Sequence, residues 1–252
     1  MNSQNWVYAI AAMTIGCSTL RAQEMQKPDT PFDAKAALTA VYGGNTWRDP
    51  QLARYFRLQS PDKSTDLAYI SLGFDASYVE NGHPKHVIVS FLTPEPPESY
   101  GCHACEPLMG AAVLRLVGAR WEIESVARII EFIASARRFS LVQAGPDRYA
   151  LLLHQQDDHQ GYELNRYDIL LADNGRISHP LSIGFNENPS PGACSDAKEQ
   201  SVDLTFDTVS RSELYDVLTV VKKNEGQCGH VKAIVERGHY KYIENVYRPI
   251  SQ

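Results

Sequence analysis

The chain has 252 residues and a formal net charge of -6, with 43% hydrophobic and 10% aromatic side chains. This composition excludes a disordered, collagen-like or coiled-coil protein, because aromatic residues are plentiful and no biased tract runs long. Acidic residues outnumber basic ones by 30 to 24. We therefore do not expect the chain to bind nucleic acid through phosphate contacts.

The N-terminal segment predicts export. Its first 20 residues carry no charged side chain, and an apolar or neutral run extends from Trp6 to Leu20. A run of this length suits the apolar region of a signal peptide, whereas a membrane-spanning helix needs roughly 20 apolar residues. Cleavage before Gln23 predicts a signal peptide over 1–22 and a soluble periplasmic or secreted protein.

Two other interpretations of the same segment stay open. Residues Thr14 to Cys17 are similar to a lipobox, which predicts a lipoprotein signal over 1–16 and a lipid on Cys17. The chain would then contact the membrane through this lipid, since no second apolar stretch is long enough to span a bilayer. The first residues contain no Lys or Arg, which departs from both kinds of signal. The third alternative is a buried first helix of a cytosolic protein.

The remaining cysteines predict disulfide bonds. Four are left once Cys17 is set aside, and an even number in an exported chain indicates two disulfides with three alternative connectivities. Proximity in the sequence favours Cys102 with Cys105 and Cys194 with Cys228.

Residues 23–31 are predicted to form a polar linker, followed by a single β-rich domain over 32–252. Asp33 is a suitable N-cap for a helix from Ala34 to Tyr42, which Gly43 would end. A second short helix is predicted over 51–57, because Asp49-Pro50 combines a capping side chain with proline in the first turn.

Strand and turn patterns dominate from residue 66 onward. A strand is predicted over 67–72, and Asn81-Gly82 lies between the predicted strands 76–80 and 86–92, which is a strong hairpin signal. Three stretches, starting near 86, 149 and 215, repeat one plan of a strand, a loop and a hairpin. The hairpins are predicted to turn at Gly118, Asn174-Gly175 and Gly238.

This pattern predicts a mainly β protein of antiparallel meander units, arranged as a sandwich, a barrel or a small propeller-like body. One internal helix is predicted over Ser125–Ala136, because Val126, Ile129, Ile130 and Ile133 recur at helical spacing. A strand from Val126 to Ile133 is the alternative.

Cys102-His103-Ala104-Cys105 is the most specific local motif. Haem attachment is excluded, because Glu106 stands where that motif requires histidine. Three interpretations stay open: a structural disulfide that holds a long loop, a redox-active thiol pair, and a zinc site that adds His103 and a remote histidine such as His230. The redox interpretation predicts a helix over 108–117, whereas a structural role predicts a hairpin with a strand from Ala112.

The run from Cys102 through Val113, together with Gly118 and Trp121, resembles a motif of uncharacterised exported bacterial proteins. These proteins pair a Cys-His-Ala-Cys loop with a β-hairpin. The resemblance covers about thirty residues. It implies a location in the cell envelope and carries no known activity or functional residue.

Other chemistry-bearing residues form weaker patterns. Asp157 to Glu163 is an acidic segment with the oxygen ligands that calcium uses, but it lacks the alternating calcium-loop spacing, and a solvated hairpin loop explains it better. Tyr240 and Tyr242 share one face of the last predicted hairpin and could bind a partner or pack on the core. The histidines form no metal or catalytic motif and are expected to be surface or hydrogen-bonded residues; they are His83, His86, His103, His154, His159, His179, His230 and His239.

The sequence therefore predicts a non-enzymatic exported protein that binds another envelope macromolecule, a protein or a glycan, as an inhibitor, an immunity-type protein or an accessory lipoprotein. Loops at strand ends usually carry such surfaces. No cofactor, resident metal or catalytic residue is expected. The first alternative is a periplasmic thiol–disulfide oxidoreductase in which Cys102 attacks and Cys105 resolves. The second is a metal-dependent hydrolase that uses His103.

Overall fold

The computed structural model describes eight stretches of the chain: 30–59, 65–94, 108–130, 136–159, 162–187, 200–209, 213–227 and 230–250. Within these stretches, no helix has the length and apolar character needed to cross a bilayer. The predicted signal segment lies outside them, as do Cys17, Cys102, Cys105, Cys194 and Cys228.

The described residues are mainly β, as predicted, and form two helices and thirteen strands. The helices are α1 (Ala34–Tyr42) and α2 (Pro50–Gln59). The strands are β1 (Thr46–Arg48), β2 (Leu67–Glu80), β3 (His83–Pro94), β4 (Leu108–Val117), β5 (Arg120–Ile130), β6 (Ala136–Gly145), β7 (Arg148–His159), β8 (Tyr162–Asp173), β9 (Arg176–Glu187), β10 (Gln200–Asp207), β11 (Asp216–Gln227), β12 (His230–Ile243) and β13 (Val246–Pro249).

Both predicted helices are present and are capped as expected. The Asp33 carboxylate accepts hydrogen bonds from the backbone N–H groups of Lys35 and Ala36, and Gly43 ends α1 at a φ of 85°. This φ lies in the left-handed region, where glycine avoids the steric cost of a Cβ. Asp49 caps α2, since its carboxylate accepts a hydrogen bond of 2.8 Å from the backbone N–H of Gln51. Helix α2 continues past the predicted end to Gln59.

Twelve of the strands form three antiparallel meanders of four: the first meander (β2–β5), the second (β6–β9) and the third (β10–β13). The first and second meanders, together with β1, make one nine-stranded sheet. Their junction is a single parallel bridge between β5 and β9, where Val126 pairs with Arg176. The third meander is a separate four-stranded sheet. The leading strands of the three predicted units correspond to β3, β7 and β11.

Hydrophobic clusters show that the helices and the three meanders are stacked as four layers. One cluster joins α1 and α2 to one face of the first meander. Two clusters fill the space between the first and second meanders, and a fourth lies between the second and third. The second meander is therefore covered on both faces, which explains the near-continuous apolar runs 149–153 and 169–172.

The helix predicted over Ser125–Ala136 is wrong for 125–130, which belong to strand β5, and for Ala136, where β6 begins. Residues 131–135 lie outside the described stretches. A register shift in the pairing of β4 with β5 lies between Ala127 and Ile130. Val126 and Ile129 consequently pack on the same cluster although they are three residues apart. An irregular strand thus reproduced the spacing of a helical face.

The hairpins at Asn81-Gly82, Gly118 and Asn174-Gly175 are confirmed, and all three glycines have positive φ. The turn predicted at Gly238 is wrong. Strand β12 runs through this residue, and the chain turns at 244–245 instead. A Cβ at Gly238 would overlap the hydroxyl of Thr219 and the ring of Tyr240. Glycine is therefore needed here for close packing within a strand and not for a turn.

Candidate functional site

Tyr240 and Tyr242, the predicted binding residues, lie on the side of β12 that faces the second meander, and both are half-buried against its core. The rings of Tyr242 and Tyr247 meet edge to face with centroids 5.2 Å apart. The Tyr247 hydroxyl donates a hydrogen bond of 3.1 Å to the Tyr215 carbonyl. Burial, followed by the negative charges of Asp173 and Glu213, raises the pKa of Tyr242, while Arg148 lowers it.

One of these charged residues, Arg148, connects the three meanders. From the start of β7, the Arg148 guanidinium lies 3.8 Å from the Glu80 carboxylate in the first meander and 3.3 Å from Glu213 in the segment before β11. It also donates a hydrogen bond of 3.0 Å to the Ala172 carbonyl in β8. An arginine can do this because its planar group carries several donors in a fixed fork.

Behind Arg148 lies a buried charge network. The Lys85 ammonium contacts Glu80, and both side chains are more than nine-tenths buried. Lys85 also donates a hydrogen bond of 3.0 Å to Glu124. Glu80 accepts a further hydrogen bond of 2.9 Å from the backbone N–H of Tyr149. Each buried charge has a partner of opposite sign, as burial in a low dielectric requires.

The exposed part of this region is the turn-end surface, which we define as Arg148, Asp173, Glu213 and the tip of the β12–β13 hairpin, 242–246. Ile243 and Val246 pair across the hairpin and are 38% and 39% exposed. Glu213 is 78% exposed. The surface therefore combines an arginine, a tyrosine and apolar side chains with accessible carboxylates. Arginine and tyrosine are enriched at protein interfaces.

A second constellation lies between β2 and β3, where Ser77, His86 and Asp75 form a hydrogen-bonded row. The His86 imidazole contacts the Ser77 hydroxyl through Nδ1 at 2.7 Å and the Asp75 carboxylate through Nε2 at 2.8 Å. Burial lowers the pKa of His86, while the hydrogen bond and charge of Asp75 act in the opposite direction.

These residue types are those of a nucleophilic triad, but this row leaves no place for a substrate. The Phe32 ring stacks on the His86 imidazole with centroids 3.4 Å apart. The Trp121 ring meets the imidazole edge to face at 5.9 Å. Because His86 is buried and aromatic rings cover its imidazole, the row acts as a packed polar contact between the segment before α1 and the first meander.

A third polar cluster surrounds Asp168, which is fully buried in β8. Its carboxylate accepts hydrogen bonds from His179 at 2.6 Å and from Arg166 at 3.0 Å, and Gln155 donates another. Burial by itself would raise the pKa of Asp168, but the His179 hydrogen bond and the Arg166 charge hold it below its usual value. A further aspartate–histidine pair, Asp216 and His239, lies on the third meander at 2.8 Å.

Among the described residues, no group of three His, Cys, Asp or Glu side chains could hold a metal ion. A cavity of about 20 Å³ lies between the first and second meanders, lined by Tyr78, Tyr149 and apolar side chains. This volume holds about one water molecule. In the predicted acidic segment, Asp158 and Glu163 occupy opposite backbone positions of the β7–β8 hairpin.

Comparison with known proteins gives no match, because no family model, curated protein or solved structure resembles this chain at a significant level. The candidate site therefore stands on its own geometry. Sequence reasoning did not find Arg148, Glu80 or Glu213, because their contacts cross layers and leave no local spacing. Their one sequence signal is the position of Glu80 beside the predicted Asn81-Gly82 turn.

Proposed function

We propose that this chain is an exported, non-enzymatic protein that binds another protein of the bacterial envelope through its turn-end surface. The observation that carries the proposal is the exposed pair Ile243 and Val246 at the tip of the β12–β13 hairpin. Tyr242 of this hairpin packs against the second meander, from which Arg148 contacts Glu213 at 3.3 Å. Tyrosine and arginine contribute most to binding energy at protein interfaces. The buried network behind Arg148 holds the guanidinium in place before a partner arrives, which lowers the entropy cost of binding.

Export to the periplasm or beyond, with or without a lipid on Cys17, is part of this proposal and is supported by the uncharged N-terminal run. The strand over Leu108–Val117 also supports a binding protein, because the oxidoreductase alternative predicted a helix there. That alternative and the metal-dependent hydrolase depend on Cys102, His103 and Cys105, which lie outside the described residues. Both stay predictions.

Site-specific photocrosslinking in the cell envelope tests the proposal. A photoreactive residue at Ile243 is expected to give a discrete adduct with one envelope protein. The matched control is Leu72 in β2, which is 39% exposed against 38% for Ile243 and lies in the first meander. Adducts of equal yield at both positions, or none at Ile243, would contradict binding at this surface.

A charge reversal tests the role of the carboxylates. Glu213→Lys replaces a negative charge next to Arg148 with a positive one. It is expected to lower the yield of the Ile243 adduct by about ten-fold, because a partner charge that complements Glu213 would then face a like charge, which is costly. Asp203→Lys is the control, because this residue is 61% exposed on β10 and also pairs with a cation, Lys222. If the adduct is a glycan, the surface binds a carbohydrate and the proposed protein partner is wrong.

A further inference from the structure

Strand β12 has an open edge that the turn-end surface does not include. On one side, β12 pairs with β11 along 230–240. On the other side, β13 pairs with β12 along 240–243 only. Within the described stretches, no strand pairs with this side of β12 between 230 and 238. An open edge of this length offers a row of backbone donors and acceptors to another strand.

The neighbouring hydrogen bonds show which residues present these groups. The backbone N–H of Ile250 donates a hydrogen bond of 2.9 Å to the His239 carbonyl, so His239 points its backbone groups towards the β13 side. In an antiparallel ladder, every second residue points the same way. Val231, Ala233, Val235 and Arg237 therefore direct both their N–H and their C=O outward along the open edge.

We propose that the partner on this edge is β12 of a second copy of the chain, paired antiparallel about a two-fold axis at Ile234. In this register, Val231 lies opposite Arg237 and Ala233 lies opposite Val235. Every outward-pointing residue then exchanges both backbone hydrogen bonds with the second copy. Ile234 faces its own counterpart at a non-hydrogen-bonded position, where Cα atoms are about 4.5 Å apart and side chains are in contact.

Charge complementarity favours a second copy of the chain as the partner and favours this register. Lys232 and Glu236 are both exposed and are equally distant from Ile234 along the strand. The two-fold axis therefore places Lys232 opposite Glu236 of the second copy, and the symmetry repeats the pair. Charged residues on an edge strand usually prevent pairing with other chains. Here the two charges are self-complementary, so they repel most other edges and favour a second copy.

Because a single strand edge buries little surface, we expect a weak dimer with a dissociation constant on the order of micromolar. Analytical ultracentrifugation of the mature chain over a range of concentrations measures it. Lys232→Glu puts a glutamate opposite Glu236 in both symmetry-related pairs and is expected to weaken the dimer by about ten-fold. Glu236→Lys is expected to weaken it by a similar factor. The double variant Lys232→Glu/Glu236→Lys restores opposite charges and is expected to recover the dimer.

Lys241→Glu is the matched control, because it makes the same charge change in the part of β12 that β13 covers. We expect it to leave the dimer intact. A chain that stays monomeric well above micromolar concentrations would overturn the proposal. So would a dimer that the single charge reversals do not weaken, or one that the double reversal does not restore.

Cross-linking checks the register independently of affinity. A cysteine at Ile234 lies opposite its own copy and is expected to form an intermolecular disulfide under mild oxidation. A cysteine at Arg237 lies far from its own copy in this register and is expected to stay uncross-linked, as is the unsubstituted chain. Preferred cross-linking at Arg237 would show a different interface. Because this edge and the turn-end surface share none of the substituted residues, failure of either proposal leaves the other standing.

Discussion

At the residue scale, the histidine side chains illustrate how burial affects the protonation of a titratable group. His86, His179 and His239 each contact an aspartate across neighbouring strands, so the expectation of hydrogen-bonded histidines is confirmed for these three. His86 differs from the others because aromatic rings cover it and its side chain is 5% exposed. Desolvation disfavours its charged form and lowers its pKa from 6.5.

The lowered pKa of His86 predicts that the free energy of unfolding falls on mild acidification. In the unfolded chain the imidazole takes up a proton near pH 6.5, whereas the folded chain holds it neutral to a lower pH. The free energy of unfolding is therefore expected to decrease as the pH drops below about 6.5 and through the lowered folded pKa. Urea unfolding at several pH values measures this decrease, and the variant His86→Asn is expected to reduce its slope.

His83→Asn is the control for the loss of an imidazole, because His83 is exposed at the start of the same strand. We expect its pH dependence to match that of the unsubstituted chain. An unchanged slope in His86→Asn, or an equal reduction in His83→Asn, would show that His86 is not the source.

At the scale of elements, the hydrogen bonds of Tyr42 fix the end of α1 on the first meander. The Tyr42 hydroxyl makes a hydrogen bond of 2.6 Å with Ser90 and donates one of 3.2 Å to the Arg128 carbonyl. Arg128 in turn donates a hydrogen bond of 2.8 Å to the Val41 carbonyl at the end of the helix. Burial raises the pKa of Tyr42 to about 12. Gly110 in β4 makes room for this hydroxyl, because a Cβ there would overlap it.

Gly110→Ala is therefore expected to displace Tyr42 and loosen α1. A Cβ at this position would also lie 2.7 Å from the Arg128 carbonyl oxygen, a backbone atom that a change of side-chain rotamer cannot move away. We expect a loss of about 3 kcal/mol in the free energy of unfolding, measured by urea denaturation. Gly184→Ala in β9 is the control, since nothing lies within 4 Å of its added Cβ, and it should change stability by less than about 1 kcal/mol. Equal losses in both variants would contradict this role.

For the whole molecule, the third meander is attached to the second at the turn between β6 and β7. The backbone N–H of Tyr215 donates a hydrogen bond of 2.7 Å to the Ala144 carbonyl. The next residue, Gly145, lies so close to the Glu213 carbonyl that a Cβ would overlap it. Apolar side chains from both layers, including Leu181 and Val217, bury the contact. Backbone contact and apolar burial together hold this outer layer.

Gly145→Ala is expected to loosen the third meander while the first meander stays folded, because the overlap occurs at the contact between the second and third layers. Hydrogen exchange with mass spectrometry should show faster exchange over 213–227 and 230–250 and unchanged protection over 83–94. Gly184→Ala, in the same meander as Gly145, should leave all three ranges unchanged. Faster exchange spread evenly over the three meanders would instead show that the layers unfold together.

The mainly β class, both helices and three hairpin turns could be predicted from the sequence alone. Helix caps and glycine-containing turns depend on only a few neighbouring residues. Tertiary structure alone decided how the meanders stack, where Arg148 lies and that Gly238 packs within a strand. It also decided that 125–130 is extended, because a register shift gave this strand the spacing of a helical face. Such features arise from contacts between residues distant in the chain, and periodicity along the sequence carries no record of them.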